Sequence, residues 1–407
     1  ITIDFEEVPP SAQADLGSFL KELHAAFAPH NWLVVQAAPF ADDKWPFAQY
    51  ARNVDYTVLM AYDEHGRSAA GGAGSIAGEP WYENLLDKRM RVLNPAHTIV
   101  AIGGYGYDFN GDDVDSVSYE EAVISAHDSG AQITFDDDTN NPHFSYMEDD
   151  NTEHNVWFLD GVTAYNEIHA ADPYQPAGYA LWRLGSEDPS VFTVLGRPYG
   201  APAPDALHHI PIIEDIDYEG EGEILRVVAD PTPGERTFER DAQTGDIDDE
   251  TYTKLPTGYV IRQFGAAGKE IALTFDDGPD PEWTPKILDI LRAKGVKACF
   301  FLLGNNCEDY PGLVQRIVDE GHEIGNHTYS HRNLAVMSEW QMELELTATQ
   351  RLIESITGRS TTLFRPPYNA DSNPTDIAEL APLRLAQEQL GYTVVLEKID
   401  PQDWSRP

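Results

Sequence analysis

The stretch IALTFDDGP at residues 271–279 decides how the second half of the chain folds, because an apolar run there ends in two adjacent carboxylates. A short apolar run closed by a Gly-Pro turn predicts a buried strand over Ile271–Phe275. Asp276 and Asp277 then stand at the carboxyl end of that strand, where the ligand sites of α/β sheets gather. A helix and another buried strand are expected before residue 303, so the pattern indicates an α/β domain.

Two histidines follow about fifty residues later, in GNHTYSH at residues 325–331. The spacing of His327 and His331 can direct both imidazoles at one ion, and a single carboxylate added to them leaves coordination positions open for water and substrate. A second carboxylate would be free to take a proton from a water attacking a carbonyl. Taken alone, a DDG turn is more often a bare turn, and an HxxxH pair is more often a surface pair.

Two further blocks continue the series, RPPY at residues 365–368 and DPQDW at residues 400–404. Arg365 offers a guanidinium that can orient a carboxylate, and the rigid turn after it has an amide that can face an oxyanion. The four blocks occur in the order typical of NodB-type polysaccharide deacetylases (carbohydrate esterase family 4), which residues 269–407 therefore resemble.

This resemblance implies a distorted (β/α) barrel that removes acetyl groups from N-acetylhexosamine polysaccharide with a divalent metal, usually zinc. The family's fifth motif, a Leu-x-His near the C-terminus, is absent, and we expect it beyond Pro407 in a longer parent protein. The roles that the resemblance implies are general base for Asp276, metal ligands for Asp277, His327 and His331, tuning of the base for Arg365, an oxyanion-holding amide at Tyr368, and contacts lining the site for Pro366, Asp403 and Trp404.

The chain begins with ITIDFEE at residues 1–7. If this segment is a strand, its period of two places Thr2, Asp4 and Glu6 on one face. Two neighbouring carboxylates can raise the pKa of one of them and so make a general acid. The alternative is a solvated acidic strand edge.

Aromatic residues at the ends of later predicted strands extend this set: MAYD at residues 60–63, NVWFLD at residues 155–160 and GYALW at residues 178–182. Together they resemble glycoside hydrolase family 18, especially its bacterial N-acetylglucosaminidase-like branch, which uses the substrate's own acetamido group instead of an enzyme nucleophile. The roles implied are general acid for Glu6, acetamido positioning for Asp4 and Tyr62, the floor under the reacting sugar for Trp182, and substrate contacts for Asp63 and Trp157.

Buried apolar runs predict five strands in this half, which fit strands four to eight of a (β/α)₈ barrel. The segment at residues 214–250 holds 14 acidic and 3 basic side chains. We therefore expect a partial family 18-like TIM barrel at 1–196, an acidic connector with β-rich character at 197–268, and the deacetylase domain at 269–407. The predicted strands are Ile1–Phe5, Leu33–Ala38, Tyr56–Ala61, Ile99–Gly103 and Tyr179–Leu184.

Charge limits the partners of this chain of 407 residues. Its 27 Lys and Arg against 69 Asp and Glu give a net charge of −42. Nucleic acid and anionic membrane surfaces need a basic footprint, so both are excluded as ligands. No apolar run reaches the roughly 18 residues of a membrane span, so no membrane contact is expected from this segment.

Both resemblances name one substrate class, glycans that contain N-acetylglucosamine. We expect a metal-dependent polysaccharide deacetylase coupled to a glycosidase, within a larger bacterial protein at the extracytoplasmic face that carries transmembrane and glycosyltransferase parts. Because Thr2 stands where the family 18 motif has its middle Asp, the alternative is a degenerate glycan-binding N-terminal half with only the deacetylase active. A further alternative is that the deacetylase acts on peptidoglycan rather than on free polymer.

Overall fold

The computed structural model describes residues 1–66, 72–111, 113–148, 151–369, 374 and 377–405. The chain is mixed α/β and divides into two compact units, the first formed by Ile1–Ile213 with Thr232–Thr257, the second by Glu214–Pro231 with Gly258–Pro407. Within the described ranges, no helix has the length and apolar character needed to cross a bilayer.

The strands in chain order are β1 (Thr2–Ile3), β2 (Val35–Pro39), β3 (Tyr56–Met60), β4 (Thr98–Gly103), β5 (Gly106–Asn110), β6 (Asp113–Val117), β7 (Thr134–Phe135), β8 (Pro142–Met147), β9 (Glu153–Phe158), β10 (Gly178–Trp182), β11 (His209–Ile210), β12 (Ile216–Gly220), β13 (Ile224–Ala229), β14 (Gly234–Arg240), β15 (Ile247–Lys254), β16 (Tyr259–Phe264), β17 (Thr274–Gly278), β18 (Cys299–Leu302), β19 (Glu323–Asn326), β20 (Leu363–Phe364) and β21 (Thr393–Val395).

The α-helices are α1 (Gln13–Phe27), α2 (Phe47–Tyr50), α3 (Glu79–Met90), α4 (Tyr119–Ser129), α5 (Gly161–Ala171), α6 (Val191–Val194), α7 (Trp283–Lys294), α8 (Gly304–Asp309), α9 (Pro311–Asp319), α10 (Glu339–Thr357) and α11 (Ile377–Arg384).

The first unit is built on a five-stranded sheet in the order β1-β2-β3-β4-β10, in which every neighbouring pair is parallel. The predicted parallel α/β layout is thus confirmed. β2, β3, β4 and β10 coincide with predicted strands to within three residues at either end, because buried apolar runs of this length are typical of parallel sheets. Helix α1 packs Leu16 and Leu20 into the core beside this sheet.

The first predicted strand is shorter than expected, since β1 ends at Ile3. Asp4 and Glu6 therefore lie beyond the ladder, so the alternation of side chains assumed for residues 2–6 does not apply to them. Both carboxylates are exposed.

A second, antiparallel sheet in the order β6-β5-β9-β8-β7 lies in the sequence between β4 and β10. It places the aromatic runs around residues 144–146 and 156–160 on the adjacent strands β8 and β9. A three-stranded sheet, β11-β14-β15, completes the first unit.

Arg236 of β14 is the centre of a buried ionic cluster in the first unit. Its guanidinium lies 3.0 Å from Asp160 Oδ2 and 2.8 Å from Asp188 Oδ2, and the Glu250 carboxylate is 3.4 Å away. One cation thus faces three buried acids. Burial, with Asp160 beside it, raises the pKa of the Glu250 carboxyl well above its ordinary value, whereas Arg236 helps to hold the pKa of Asp188 below its ordinary value against burial.

The second unit is built on an eight-stranded sheet in the order β12-β16-β13-β21-β20-β19-β18-β17. β17 to β21 run parallel, while β13 is antiparallel to β21 and to β16. The strand expected over Ile271–Phe275 is displaced, because β17 begins at Thr274 and Ile271 is 83% exposed. β17 is an edge strand with β18 as its one neighbour in the sheet, so the apolar residues around its first position have no strand beside them on the other side.

The acidic segment at 197–268 holds six strands, which the two units share. β11, β14 and β15 belong to the first unit, whereas β12, β13 and β16 extend the sheet of the second. The segment is therefore β-rich, and its strands pair within the sheets of the two units instead of forming a separate linker.

Candidate active site

The two adjacent carboxylates lie on an irregular part of edge strand β17. Its pairing with β18 shifts register between Phe275 and Gly278, so Asp276 and Asp277 occupy a bulge. A bulge redirects side chains that would otherwise alternate across the sheet. Asp277 has a φ of 64°, and the side-chain amide of Asn306 donates to its main-chain oxygen over 2.8 Å.

Asp277, His327 and His331 meet at one point, with ligand atoms that all lie within 4.8 Å of one another. Asp277 Oδ1 is 3.3 Å from His327 Nε2 and 3.0 Å from His331 Nε2. His327 Nδ1 lies 2.7 Å from the main-chain oxygen of Arg365, so this nitrogen carries the proton that it donates. The other ring nitrogen, Nε2, is turned toward Asp277, which is the orientation that a metal-binding histidine requires.

The pKa shifts at this site favour the protonation states in which Asp277 and His331 can bind a metal ion. The imidazole of His327, helped by that of His331, holds the pKa of the Asp277 carboxyl below its ordinary value against the effect of burial. Burial lowers the pKa of His331, with Asp277 opposing that shift. Asp277 therefore stays ionised, and His331 stays neutral to a lower pH than a free imidazole.

The loop that carries the histidines is anchored by two polar side chains that the sequence analysis missed. Glu345 on α10 accepts from the amides of Tyr329 and Ser330, both over 2.8 Å, and from the Ser330 hydroxyl over 2.6 Å. Asn326, buried at the end of β19, accepts from the amide of Thr328 over 2.9 Å. Glu345 is 14 residues from His331 in the chain, so no local motif signals its role.

Arg365 holds Asp276 from the end of β20. Its Nη1 lies 3.0 Å from Asp276 Oδ1 and 3.2 Å from Oδ2, and it also donates to Thr274 Oγ1 over 2.8 Å. Nε and Nη2 donate to the main-chain oxygens of Val395 and Leu396. This buried guanidinium is fixed from three sides, so it orients Asp276. Asp276 is thus bound by Arg365, whereas its neighbour Asp277 faces His327 and His331.

Backbone conformations that are unusual for residues with a side chain concentrate here. Asp277, Thr328, His331 and Tyr368 all have φ between 56° and 73°. Such conformations cost energy and persist where the surrounding contacts enforce them, which is common at functional sites. The ring of Tyr368 packs at 4.6 Å from that of His331, and its hydroxyl donates to the His331 main-chain oxygen over 3.1 Å.

The remaining predicted residues of this half are placed differently. Pro366 is buried, and Trp404 is 74% exposed with its indole N–H 3.2 Å from Asp400 Oδ2. Asp403 is exposed on a short 3₁₀ turn, and among the contacts of the described chain no hydrogen bond or ion pair joins it to Arg365. A carboxylate missed in the sequence, Glu397, instead comes to 4.0 Å from Arg365 Nη1.

The donor set fits a divalent transition-metal ion. Two neutral imidazoles and one carboxylate are typical ligands of catalytic zinc and of related ions, and three protein ligands leave positions for water and substrate. The ligand atoms converge with the second nitrogen of His327 already bonded, which is the arrangement that orients a metal-binding histidine.

In the first unit, predicted residues meet at the carboxyl ends of the parallel strands. Glu6 follows β1 and Asp63 follows β3; Tyr105, which follows β4, donates to Asp63, as does Tyr107 over 2.9 Å. Burial raises the pKa of the Glu6 carboxyl, with smaller contributions from the negative charges of Asp4 and Asp63.

Aromatic side chains surround this acidic group. Tyr62 packs edge-on to Tyr105 at 6.0 Å and shares a cluster with Trp157, whose ring stacks on His143 at 4.3 Å. Burial raises the pKa of Tyr62, so its hydroxyl stays protonated. Trp182 ends β10 with half of its surface exposed. The structure thus brings Asp4, Glu6, Tyr62 and Asp63 into electrostatic contact, and Tyr62 and Trp157 pack against the same buried cluster.

The second unit is therefore an α/β domain with a mixed sheet, and its Asp-His-His site, with a separate Arg-bound carboxylate, lies at the carboxyl ends of the parallel strands. Residues 265–395 match the family model described as polysaccharide deacetylase. A peptidoglycan-N-acetylglucosamine deacetylase of Bacillus cereus is 38% identical over 154 residues, which span 37% of this chain and 68% of that protein. The chain belongs, through this C-terminal part, to the polysaccharide deacetylase family, and the predicted NodB-type domain is confirmed.

Two other similarities were found. Another peptidoglycan-N-acetylglucosamine deacetylase of Bacillus cereus is 47% identical over 135 residues, which span 33% of this chain and 46% of that protein, so the match covers less than half of this relative. The structure of a chitinase from Chromobacterium violaceum overlaps 48% of this chain and 64% of its own, with 24% identity and a TM-score of 0.44. A similarity at that score does not establish a common fold for the first unit.

Proposed function

We propose that the second unit catalyses metal-dependent hydrolytic N-deacetylation of a glycan that contains N-acetylglucosamine, either chitin-like polymer, poly-N-acetylglucosamine or peptidoglycan. The observation that carries the proposal is the convergence of Asp277, His327 and His331 beside a carboxylate, Asp276, that is bound by Arg365 and not by the histidines. The membership of this part of the chain in the polysaccharide deacetylase family supports the reaction class.

The three converging residues would hold the ion, most simply Zn²⁺, which when bound would act as a Lewis acid on the acetyl carbonyl and the attacking water. Asp276 accepts the proton of that water, and Arg365 keeps this carboxylate aimed at the site. The amide of Tyr368, in a turn constrained at a φ of 65°, donates to the developing oxyanion. Asp403 and Trp404 contact the glycan.

Acetate release from N-acetylglucosamine oligomers tests this proposal. We expect activity that is lost on chelation, restored by Zn²⁺, and abolished in D277A and in H327A. D289A removes an exposed carboxylate on α7 and serves as the matched control, with activity retained. Acetate release that survives both D277A and H327A would overturn the metal assignment.

The acidic group in the first unit favours a second activity. We propose that this unit is part of a family 18-like barrel. In this proposal its parallel sheet corresponds to strands four to eight of the barrel. Glu6, whose pKa is raised, protonates the glycosidic oxygen. Asp4 and Tyr62 position the acetamido group, and Trp182 supports the sugar ring.

Hydrolysis of a chromogenic N-acetylglucosaminide tests this second proposal. E6Q should abolish it and E7Q, which alters the neighbouring exposed carboxylate, should not. Hydrolysis that persists in E6Q would refute the glycosidase proposal. Oligomer binding without any hydrolysis by the unaltered chain would support the alternative of a degenerate glycan-binding unit.

A further inference from the structure

A carboxylate that no described residue satisfies lies inside the first unit. Glu167 is on α5, whose residues from Gly161 to Ile168 are all buried, and it is itself 4% exposed. Neither of its carboxylate oxygens has a hydrogen-bond partner, and the described residues place no Lys or Arg in an ion pair with it. A buried carboxylate without hydrogen bonds or a counter-charge is among the costliest groups a protein core can hold.

Glu167 borders a cavity of about 10 Å³, which is close to the space that one water-sized particle occupies. The hydroxyl of Tyr82, fully buried on α3, also borders the cavity and also lacks a hydrogen-bond partner. Two buried polar groups on different helices are thus left unsatisfied at the same void.

The rest of the lining offers oxygen atoms and no basic side chain. The other polar residues are Glu79, Asn140, Asn141, Thr163 and Asn166. The side-chain amide of Asn140 donates to Glu79, while Asn141 and Asn166 bond to main-chain groups, so these residues are already held in place. The side-chain oxygens of Asn141, Asn166 and Thr163 already accept hydrogen bonds from main-chain amides, so among the described lining residues the Glu167 carboxylate and the Tyr82 hydroxyl are the groups left unsatisfied. Oxygen donors of this kind suit hard cations better than metals that prefer nitrogen or sulfur.

We propose that this cavity binds one hard, oxygen-seeking cation, with Glu167 as its charged ligand. A single water could donate two protons to Glu167, but it would leave the negative charge uncompensated, whereas a cation removes that cost directly. The site would join α3, the turn at 140–141 and α5, and so stabilise the part of the unit that supports β4 and β10. It is separate from the site of Asp277, His327 and His331, which lies in the other unit.

The competing explanation is a protonated Glu167 beside a water. Burial raises the pKa of this carboxyl well above its ordinary value, as that explanation also requires. The two cases differ in their response to ions, because only the first predicts saturable binding that depends on the Glu167 charge.

Terbium luminescence tests the site directly, since Tb³⁺ replaces Ca²⁺ at oxygen sites and the ring of Tyr82 borders the cavity and can transfer energy to it. The intact chain should show saturable Tyr-sensitised Tb³⁺ emission that Ca²⁺ displaces. E167Q should lose this emission. E83Q changes an exposed carboxylate on the same helix as Tyr82 and should behave like the unaltered chain.

Thermal unfolding provides the second measurement. At constant ionic strength, Ca²⁺ should raise the unfolding temperature of the intact chain and of E83Q by more than that of E167Q, because screening of the net charge acts on all three alike. Equal emission in E167Q and the unaltered chain, or an ion-induced rise in unfolding temperature that is no larger for the intact chain than for E167Q with each of Na⁺, K⁺, Mg²⁺ and Ca²⁺, would overturn the proposal in favour of a protonated carboxyl with water.

Discussion

The ring of His327 donates from Nδ1 to the main-chain oxygen of Arg365 over 2.7 Å, while the guanidinium of the same Arg365 holds Asp276 at 3.0 Å. One residue therefore positions a candidate metal ligand through its backbone and the candidate base through its side chain. The backbone contact survives substitution and the side-chain contact does not, so the two functions can be separated experimentally.

The substitution R365K should reduce deacetylation about 100-fold while changing metal affinity by less than about threefold. A lysine keeps the charge but cannot reach Asp276, Thr274 and the main-chain oxygens of Val395 and Leu396 together. Acetate release and zinc titration measure the two effects. The exposed Arg292 supplies the control R292K; a loss of metal binding equal to the loss of activity in R365K would contradict the separation.

Glu345 should affect the metal site without touching the ion. One oxygen of its carboxylate accepts from the amides of Tyr329 and Ser330, and E345Q keeps an accepting oxygen there but removes the negative charge that strengthens both hydrogen bonds. We expect Zn²⁺ affinity to fall about tenfold, in line with other residues that orient metal ligands. E343Q, an exposed change on the same helix, should leave the affinity unaltered, and an equal fall in both variants would refute a specific role.

Glu250 should make folding stability depend on pH. Its folded pKa is raised, so folding takes up a proton above the ordinary pKa of 4.5, and the stability that this carboxyl contributes is greatest in acid and declines as the pH rises. The decline is at most about 1.4 kcal/mol per pH unit for one proton. E250Q removes this proton uptake. The free energy of unfolding of the variant should therefore rise relative to that of the unaltered chain as the pH increases from about 5 to about 8.

Unfolding temperatures across that range measure the difference. E235Q alters an exposed glutamate of the same small sheet and should follow the unaltered chain. Parallel pH profiles for E250Q and the unaltered chain would mean that Glu250 is ionised in the folded state, contrary to its burial.

The net charge of −42 should make stability rise with salt. Crowded carboxylates repel one another, and ions screen that repulsion over a Debye length that shrinks from about 10 Å at 0.1 M to about 3 Å at 1 M. We expect a higher unfolding temperature in concentrated NaCl, with a larger increase than sucrose of equal osmolality gives. An unchanged or lower unfolding temperature would contradict self-repulsion as a significant cost.

Buried strands could be predicted from the sequence, because an apolar run in so acidic a chain is expected to be buried in a sheet. Val35–Pro39, Tyr56–Met60 and Thr98–Gly103 were predictable for that reason. The ends of the strands were less so: β1 stops at Ile3, and β17 starts at Thr274 with Ile271 in solvent. Exposure at a sheet edge depends on neighbouring strands, which a local pattern does not report.

The candidate metal ligands were also predictable, since the order and spacing of four motifs constrain one another. Asn326 and Glu345 were not, because their partners are set by how α10 packs against the loop after β19. The pairing of strands in residues 197–268 was hidden for a similar reason: charge marks the segment as solvated, but the partners of its strands lie in two different sheets.

That distribution of strands has a consequence for how the protein can be divided. The chain leaves the first unit after Ile213, returns at Thr232 and leaves again after Thr257. A single cut at any point between Ile213 and β16 would separate β14 and Arg236 from the acids they neutralise, or β12 and β13 from the deacetylase sheet. Neither half can be excised as one continuous piece, so isolating the deacetylase calls for a short loop joining Pro231 to Gly258 in place of the hairpin between them.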